Sequence, residues 1–107
     1  MKRGETWWVN FDPAIGAEIK KTRPAVIVSN DISNKYSKRV QVIPATSAIK
    51  KLYPPECLIQ INGTSSKVMA DQLMTVSKTR LYDHIGRVTP DEMLEIERII
   101  LLQLGLN

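Results

Sequence analysis

The sequence predicts an α+β fold that is mainly β, with several antiparallel strands followed by one long carboxyl-terminal helix. Three observations predict it. Short apolar or aromatic runs recur between turn signals over residues 6–88. The pair Asn62-Gly63 lies between two of these runs, which is typical of a β-hairpin. After Thr89 the apolar residues recur at helical spacing instead.

The strand predictions rest on β-branched and aromatic runs bounded by turn residues. Residues 24–29 form a nearly continuous apolar run, which predicts a strand buried on both faces. Residues 14–22 and the polar residues 30–38 are predicted as loops. The predicted strands, in order, are residues 6–11, 24–29, 40–45, 57–61, 67–70, 72–76 and 85–88.

The predicted helix begins with a complete capping signal. Thr89 is the N-cap, Pro90 follows at the first helical position, and Glu92 is placed to close a capping box. Gly105 is expected to end the helix. The apolar stripe that would pack on the sheet is Met93, Ile96, Ile100 and Leu104.

Length and composition favour a single domain that covers residues 1–107. With 43% hydrophobic residues, the chain can build a core without disulfides or a structural metal. Cys57 is the only cysteine and His84 the only histidine, so an intrachain disulfide and a cysteine metal cluster are excluded and zinc catalysis is disfavoured. With no apolar leader and no run long enough to span a membrane, a cytoplasmic protein is expected.

Positive charge is concentrated in the first half of the chain. Residues 1–51 carry 10 Lys and Arg against 4 Asp and Glu, a net +6, whereas residues 52–107 carry 5 against 7, a net −2. Such a distribution suits an anionic partner, either a nucleic acid or an acidic protein. Ordinary solvated surface charge is the alternative interpretation.

Candidate functional groups stand at the ends of two predicted strands, where functional residues often lie. A basic loop leads into Arg23, and the hydroxyl pair Thr46-Ser47 ends the third strand. No phosphate-binding glycine loop and no metal-ligand spacing appears in the sequence. Taken alone, Arg23 could be a solvated arginine and Thr46 a turn cap.

An ordered series of short motifs extends over nearly the whole chain. They are Arg3-Gly4-Glu5-Thr6-Trp7-Trp8, Pro13, Gly16-Ala17-Glu18, Arg23-Pro24-Ala25-Val26-Ile27-Val28-Ser29-Asn30-Asp31, Pro44-Ala45-Thr46-Ser47, Asp71-Gln72, Thr75-Val76, Lys78-Thr79-Arg80-Leu81 and Gly86. In order and spacing they resemble the MazF/PemK toxins of bacterial type II toxin–antitoxin systems.

The resemblance implies a compact SH3-like barrel (PemK/CcdB-like) with a carboxyl-terminal helix. It implies a metal-independent endoribonuclease, an mRNA interferase that cleaves single-stranded RNA at a short sequence and needs no cofactor. The expected products are a 2′,3′-cyclic phosphate and a 5′-hydroxyl. The expected partners are the RNA substrate, a second copy of the chain in a homodimer, and a cognate acidic antitoxin.

The family's catalytic arginine and threonine fall on Arg23 and Thr46, and its loop glutamate falls on Glu18, a candidate base. Arginine stays charged at physiological pH, so stabilisation of the phosphorane is favoured over proton transfer for Arg23. Substrate contacts are expected from Gln72, Ser47, Lys20 and Lys21. For Glu18 and for the two lysines, a solvated loop residue is an equally good interpretation.

Two other function classes stay open. The related CcdB toxins poison gyrase through a tryptophan close to the carboxyl terminus. The only tryptophans here are Trp7 and Trp8, which disfavours that hypothesis. The third class is a catalytically silent binding module, against which the pair Arg23 and Thr46 argues.

Overall fold

A computed structural model describes residues 1–13, 16 and 21–106 of the chain. Within these residues it contains seven β-strands, two α-helices and two short 3-10 turns. The strands are β1 (Glu5–Asn10), β2 (Thr22–Ile27), β3 (Arg39–Thr46), β4 (Glu56–Ile61), β5 (Thr64–Met69), β6 (Met74–Ser77) and β7 (Leu81–Arg87). The helices are α1 (Asp31–Tyr36) and α2 (Pro90–Leu104).

Every strand pairing in the described sheet is antiparallel, in the order β4-β5-β3-β2-β1-β7, with β6 paired to β3 as a branch. Strand β3 therefore has three neighbours. Its first half pairs with β6, its last two residues pair with β5, and its middle pairs with β2. The sheet curls into a half-barrel, so the predicted class, α+β and mainly β, is confirmed.

Strand β2 separates two hydrophobic clusters, because successive side chains of a strand point to opposite faces. Val26 packs in the cluster that contains Ile96 and Ile99 of α2. Its neighbours Ala25 and Ile27 pack in the cluster on the other face. The prediction of a strand buried on both faces is thereby confirmed.

The local signals of helix α2 and of the hairpin are confirmed as well. The Thr89 hydroxyl accepts from the Glu92 N–H at 3.1 Å, and the Glu92 carboxylate accepts from the Thr89 N–H at 2.8 Å. Gly105 ends the helix with φ of 68°. At the β4–β5 turn, Asn62 and Gly63 both have positive φ, as a type I′ hairpin turn requires.

The loop predicted over residues 30–38 is wrong in its middle, because helix α1 lies there. The Asn30 side chain caps this helix by accepting from the Ser33 N–H at 2.8 Å. Asn34 is buried and donates through Nδ2 to the Ser29 carbonyl at 2.9 Å. A helix held by polar side chains has no apolar periodicity for a sequence pattern to detect. Separately, no helix in the described ranges is long and apolar enough to cross a membrane.

Candidate functional site

The candidate site lies where β2 and β3 separate. Ala25 of β2 pairs with Pro44 of β3 at the end of their shared register, and Arg23 and Thr46 each lie two residues beyond that pair on their own strands. At that point β3 has left β2 and pairs with β5 instead, through Ala45 and Thr46. The separation opens a cavity of about 250 Å³, here called the β2–β3 pocket.

The described residues that line the β2–β3 pocket combine one guanidinium, four hydroxyls and an aromatic ring. They are Trp8, Thr22, Arg23, Pro24, Ala45, Thr46, Ser47 and Ser66. Among them Arg23 is half-buried, which limits the solvent that competes with a bound anion. A guanidinium presents a planar fork of donors, and hydroxyls both donate and accept. Such a set of groups suits a phosphate diester.

The structure brings three of the predicted site residues together: Arg23, Thr46 and Ser47 all line the pocket. The Thr46 hydroxyl accepts from the Ala48 N–H at 3.2 Å. Thr46 therefore also caps a turn, which is the alternative role that the sequence leaves open for it. That role leaves the chemistry possible, because a hydroxyl that accepts one bond can still donate its own hydrogen.

The basic loop is described only in part. Glu18 and Lys20, predicted as base and as substrate contact, lie outside the described residues. Lys21 is exposed and has a φ of 65°. Its backbone N–H donates to the Asp12 carboxylate at 2.8 Å, and its carbonyl accepts from the Phe11 N–H at 2.9 Å. These bonds fix the direction in which the chain enters β2, just before Arg23.

Gln72 lies outside the pocket lining given above. It is half-buried at the end of the 3-10 turn Ala70–Gln72, which follows β5. The turn is tied to the segment before β4 by a bond from the Ala70 N–H to the Pro55 carbonyl at 2.9 Å. A substrate contact by Gln72 remains a prediction.

Sequence reasoning missed a buried ion pair beside the pocket. The Lys67 Nζ lies 3.0 Å from a Glu56 carboxylate oxygen, and Lys67 is the register partner of Thr46. The hairpin contained a signal for it. The Asn62-Gly63 turn sets Lys67 opposite Leu58, which places Glu56 on the adjacent diagonal of the same face.

Exposed cations extend from the pocket along the segment that joins β3 to β4. Ser47, which lines the pocket, also lines an adjoining cleft of about 530 Å³ with Lys50, Lys51 and Lys67. This side of the molecule therefore presents positive charge to solvent. Within the described ranges, no three His, Cys, Asp or Glu side chains come together as a metal-binding group.

Comparison with known proteins identifies the family. Residues 2–104 match the family described as PemK-like, MazF-like toxin of type II toxin-antitoxin system. The endoribonuclease MazF9 of Mycobacterium tuberculosis (strain ATCC 25618 / H37Rv) is 38% identical over 115 residues, which cover 99% of this chain and 98% of that protein.

Solved structures agree in fold. A crystal structure of MazF from Deinococcus radiodurans superposes with a TM-score of 0.88 at 28% identity, over 98% of this chain and 96% of that one. An endoribonuclease from a mycobacterial species, in complex with its cognate antitoxin, gives a TM-score of 0.84 at 25% identity, over 100% and 97%. The match over nearly all of the chain, together with a pocket built from Arg23, Thr46 and Ser47, leads to one conclusion: this chain belongs to the PemK-like, MazF-like toxins of type II toxin–antitoxin systems.

Proposed function

We propose that this chain is an endoribonuclease that cleaves single-stranded RNA at a short sequence, without a metal, in the β2–β3 pocket. The observation that carries the proposal is the meeting of Arg23, Thr46 and Ser47 around one cavity of about 250 Å³. The relative MazF9 is named an endoribonuclease, which supports the same chemistry here. Such an enzyme acts on cellular RNA, so the cytoplasm is its proposed location.

The proposed reaction uses the ribose 2′-hydroxyl of the RNA as nucleophile. A base removes the 2′-hydroxyl proton, the 2′-oxygen bonds to phosphorus, and the bond from phosphorus to the 5′-oxygen breaks. A proton is delivered to the departing 5′-oxygen. The products are a 2′,3′-cyclic phosphate and a 5′-hydroxyl, and no water or metal enters this balance.

Arg23 is assigned to the charge that develops on the phosphate oxygens. Its guanidinium can donate two parallel hydrogen bonds to them, and its half-burial strengthens that attraction relative to open water. Thr46 is assigned to donate to a phosphate oxygen and so to align phosphorus with the 2′-oxygen. Ser47 is assigned to substrate binding at the same wall of the pocket.

Proton removal from the 2′-hydroxyl is assigned to Glu18. The described residues that line the pocket contribute no carboxylate. Glu18 precedes Arg23 by five positions and is the residue on which the family's loop glutamate falls. Lys20 and Lys21 of the same loop, together with Gln72, are proposed to bind the RNA.

The proposed working unit is a homodimer of single-domain chains, each of residues 1–107. Support comes from an apolar groove of about 440 Å³ along α2, lined in part by Ile100, Leu101 and Leu104. Leu101 and Leu104 are 39% and 53% exposed, so a second copy could bury them. Light scattering should give twice the chain mass, and Leu104→Glu should give the mass of one chain.

A cognate antitoxin with an acidic segment is the proposed inhibitor. Lys21, Lys50 and Lys51 are exposed around the pocket, so an acidic segment would cover the same charges that attract RNA. The antitoxin complex of the mycobacterial structural neighbour supports this assignment. Inhibition should weaken as salt concentration rises, because exposed charges are screened.

The test is cleavage of a long single-stranded RNA in excess EDTA, with the cut ends mapped. Discrete cuts at one short sequence are expected, and the 5′ ends should accept phosphate from a kinase without prior phosphatase treatment. Arg23→Ala should lower the cleavage rate about 10³-fold, as does loss of a preorganised group that stabilises transition-state charge. Arg98→Ala, which removes the same charge from an exposed site on α2, is the matched control.

Three outcomes would contradict the proposal. Cleavage by Arg23→Ala at the wild-type rate would remove the pocket from the mechanism. Loss of all cutting in EDTA would mean that a metal takes part. Failure of well-folded protein to cut any RNA would shift the assignment to a gyrase poison or a silent binder, which a DNA supercoiling assay separates.

A further inference from the structure

A buried ion pair fastens the segment that runs beside the pocket. The Lys67 Nζ donates to Glu56 Oε1 at 3.0 Å and to the Lys51 carbonyl at 2.9 Å. The same Glu56 oxygen accepts from the Tyr53 N–H at 2.8 Å. The Lys67 and Glu56 side chains are only 11% and 8% exposed. Two charges held this far from water are stable only with such partners, so the arrangement is tightly determined.

The bonds of this pair reach into residues 47–55, which connect β3 to β4. Two of the four groups in the cluster are backbone atoms of this segment, the Lys51 carbonyl and the Tyr53 N–H. Lys67 itself is the register partner of Thr46, the last residue of β3. Lys67 therefore holds this segment and also pairs with Thr46, which lines the β2–β3 pocket.

The outer surface of the same segment has the groups that single-stranded RNA binds. Lys50 and Lys51 are exposed cations, suited to phosphates. Tyr53 is 51% exposed, and a base can stack on such a ring. The Lys51 Nζ lies 5.1 Å from the centroid of the Tyr53 ring, so charge and ring are presented together.

We propose that Lys67 and Glu56 are positioning residues. They hold residues 50–55, whose Lys51 carbonyl and Tyr53 N–H they bind, so that Lys50, Lys51 and Tyr53 bind the nucleotides that flank the cleaved bond. The pair touches neither the scissile phosphate nor the reacting hydroxyl. The inference rests on the proposed function, because it assigns to the adjoining cleft of about 530 Å³ the RNA that leaves the β2–β3 pocket.

The test compares two RNAs that share one cleavage site, a short one limited to the cut sequence and a long one with flanking nucleotides. Lys67→Met should raise KM for the long RNA about tenfold and leave kcat and KM for the short RNA unchanged. The slope of log affinity against log salt should shrink by about 1–2, because up to two lysine–phosphate contacts are lost.

Two further lysine variants test this result, one expected to repeat the loss and one serving as a control. Lys51→Met should reproduce the loss on the long RNA without touching the buried pair. Lys35→Met is the matched control, because its ammonium also lies beside a tyrosine ring, 5.4 Å from the Tyr36 centroid on α1. The control should change neither RNA.

A purely structural role would lower activity on both RNAs together, and that outcome would overturn the inference, as would unchanged KM for the long RNA. If Lys67→Met does not fold, Glu56→Gln takes its place in the same comparison. Its amide oxygen still accepts from the Tyr53 N–H, and a smaller rise in KM, confined to the long RNA, is expected.

Binding of both RNAs by fluorescence anisotropy, with Arg23→Ala as the parent protein, repeats the comparison without cleavage. This separates the two proposals. If wild-type protein cuts neither RNA, the proposed function fails, whereas normal cutting with unchanged flanking affinity in Lys67→Met overturns only the positioning role.

Discussion

Two ion pairs in this protein have the same separation and opposite surroundings. The nitrogen–oxygen distance is 3.0 Å for Lys67–Glu56 and 3.0 Å for Arg98–Glu95. The side chains of the first pair are 11% and 8% exposed, and those of the second are 50% and 55% exposed. The nitrogen–oxygen distance therefore does not tell which ion pair contributes more to stability. Exposed pairs contribute little, whereas loss of one partner from a buried pair leaves a charge without compensation.

The largest difference between the pairs should appear when one cation is removed. Lys67→Met should lower the free energy of unfolding by about 3 kcal/mol, because the Glu56 carboxylate stays buried without its cation. Urea unfolding measures this change. A loss below about 1 kcal/mol would mean that the buried pair behaves like a surface pair, which would contradict the expected difference between the two pairs.

The second prediction asks how much of the lost free energy of unfolding comes from leaving the Glu56 carboxylate without a cation and how much from losing the ion pair itself. In the double variant Lys67→Met, Glu56→Gln, the uncompensated charge is gone, and the amide oxygen can still accept from the Tyr53 N–H. About half of the lost stability, roughly 1.5 kcal/mol, should return. A double variant no more stable than Lys67→Met alone would show that packing, not charge, causes the loss.

Glu5 is an intermediate case, 14% exposed and near both His84 and Arg87. Burial by itself would raise the pKa of Glu5, but bonds from the Lys2 N–H and the Trp7 indole, together with the charges of the amino terminus and His84, outweigh it, and the pKa lies below its ordinary value. A lowered pKa gives stability that is present above pH 4.5 and is lost as pH falls further.

Wild-type protein should therefore lose on the order of 1 kcal/mol more than Glu5→Gln between pH 5 and pH 3, since bonds to a charged group are lost on protonation. Chemical unfolding at a series of pH values measures the difference. Parallel curves for the two proteins would contradict it.

The smallest effect is expected at the exposed pair. Arg98→Met should change the free energy of unfolding by less than about 0.5 kcal/mol.

A second readout is the thiol of Cys57, whose pKa is raised to about 11 by burial and by Glu95 and is lowered in part by Arg98. Arg98→Met should therefore raise the pKa of Cys57 further and slow its alkylation slightly, whereas Lys67→Met, by loosening the neighbouring strand, should speed it.

Elements with local causes could be predicted from the sequence. The capping box of α2 needs only Thr89 and Glu92, and the hairpin turn needs only Asn62 and Gly63. Helix α1 could not be predicted in this way, since it depends on polar bonds that become visible only when Asn34 is buried. Strand β7 begins at Leu81, earlier than predicted, because it pairs with a strand at the other end of the chain.

The residues of the candidate site also differ in whether the sequence alone could predict them. Arg23 and Thr46 could be singled out through the family resemblance, but their meeting depends on the register of two strands and on the point where those strands part. The diagonal placement of Lys67 and Glu56 follows from the hairpin turn, but a charged residue in a strand does not show from the sequence that it is buried. Their pairing is a property of the folded hairpin and of the segment packed on it.

The pairing of β1 with β7 also bears on protein synthesis. It joins residue 5 to residue 87, so a ribosome adding about 5–20 residues per second makes the second strand roughly 4–16 seconds after the first. Trp8, which lines the pocket, pairs with Asp83 across that junction. A nascent chain therefore cannot complete this wall of the pocket until residue 87 has been added.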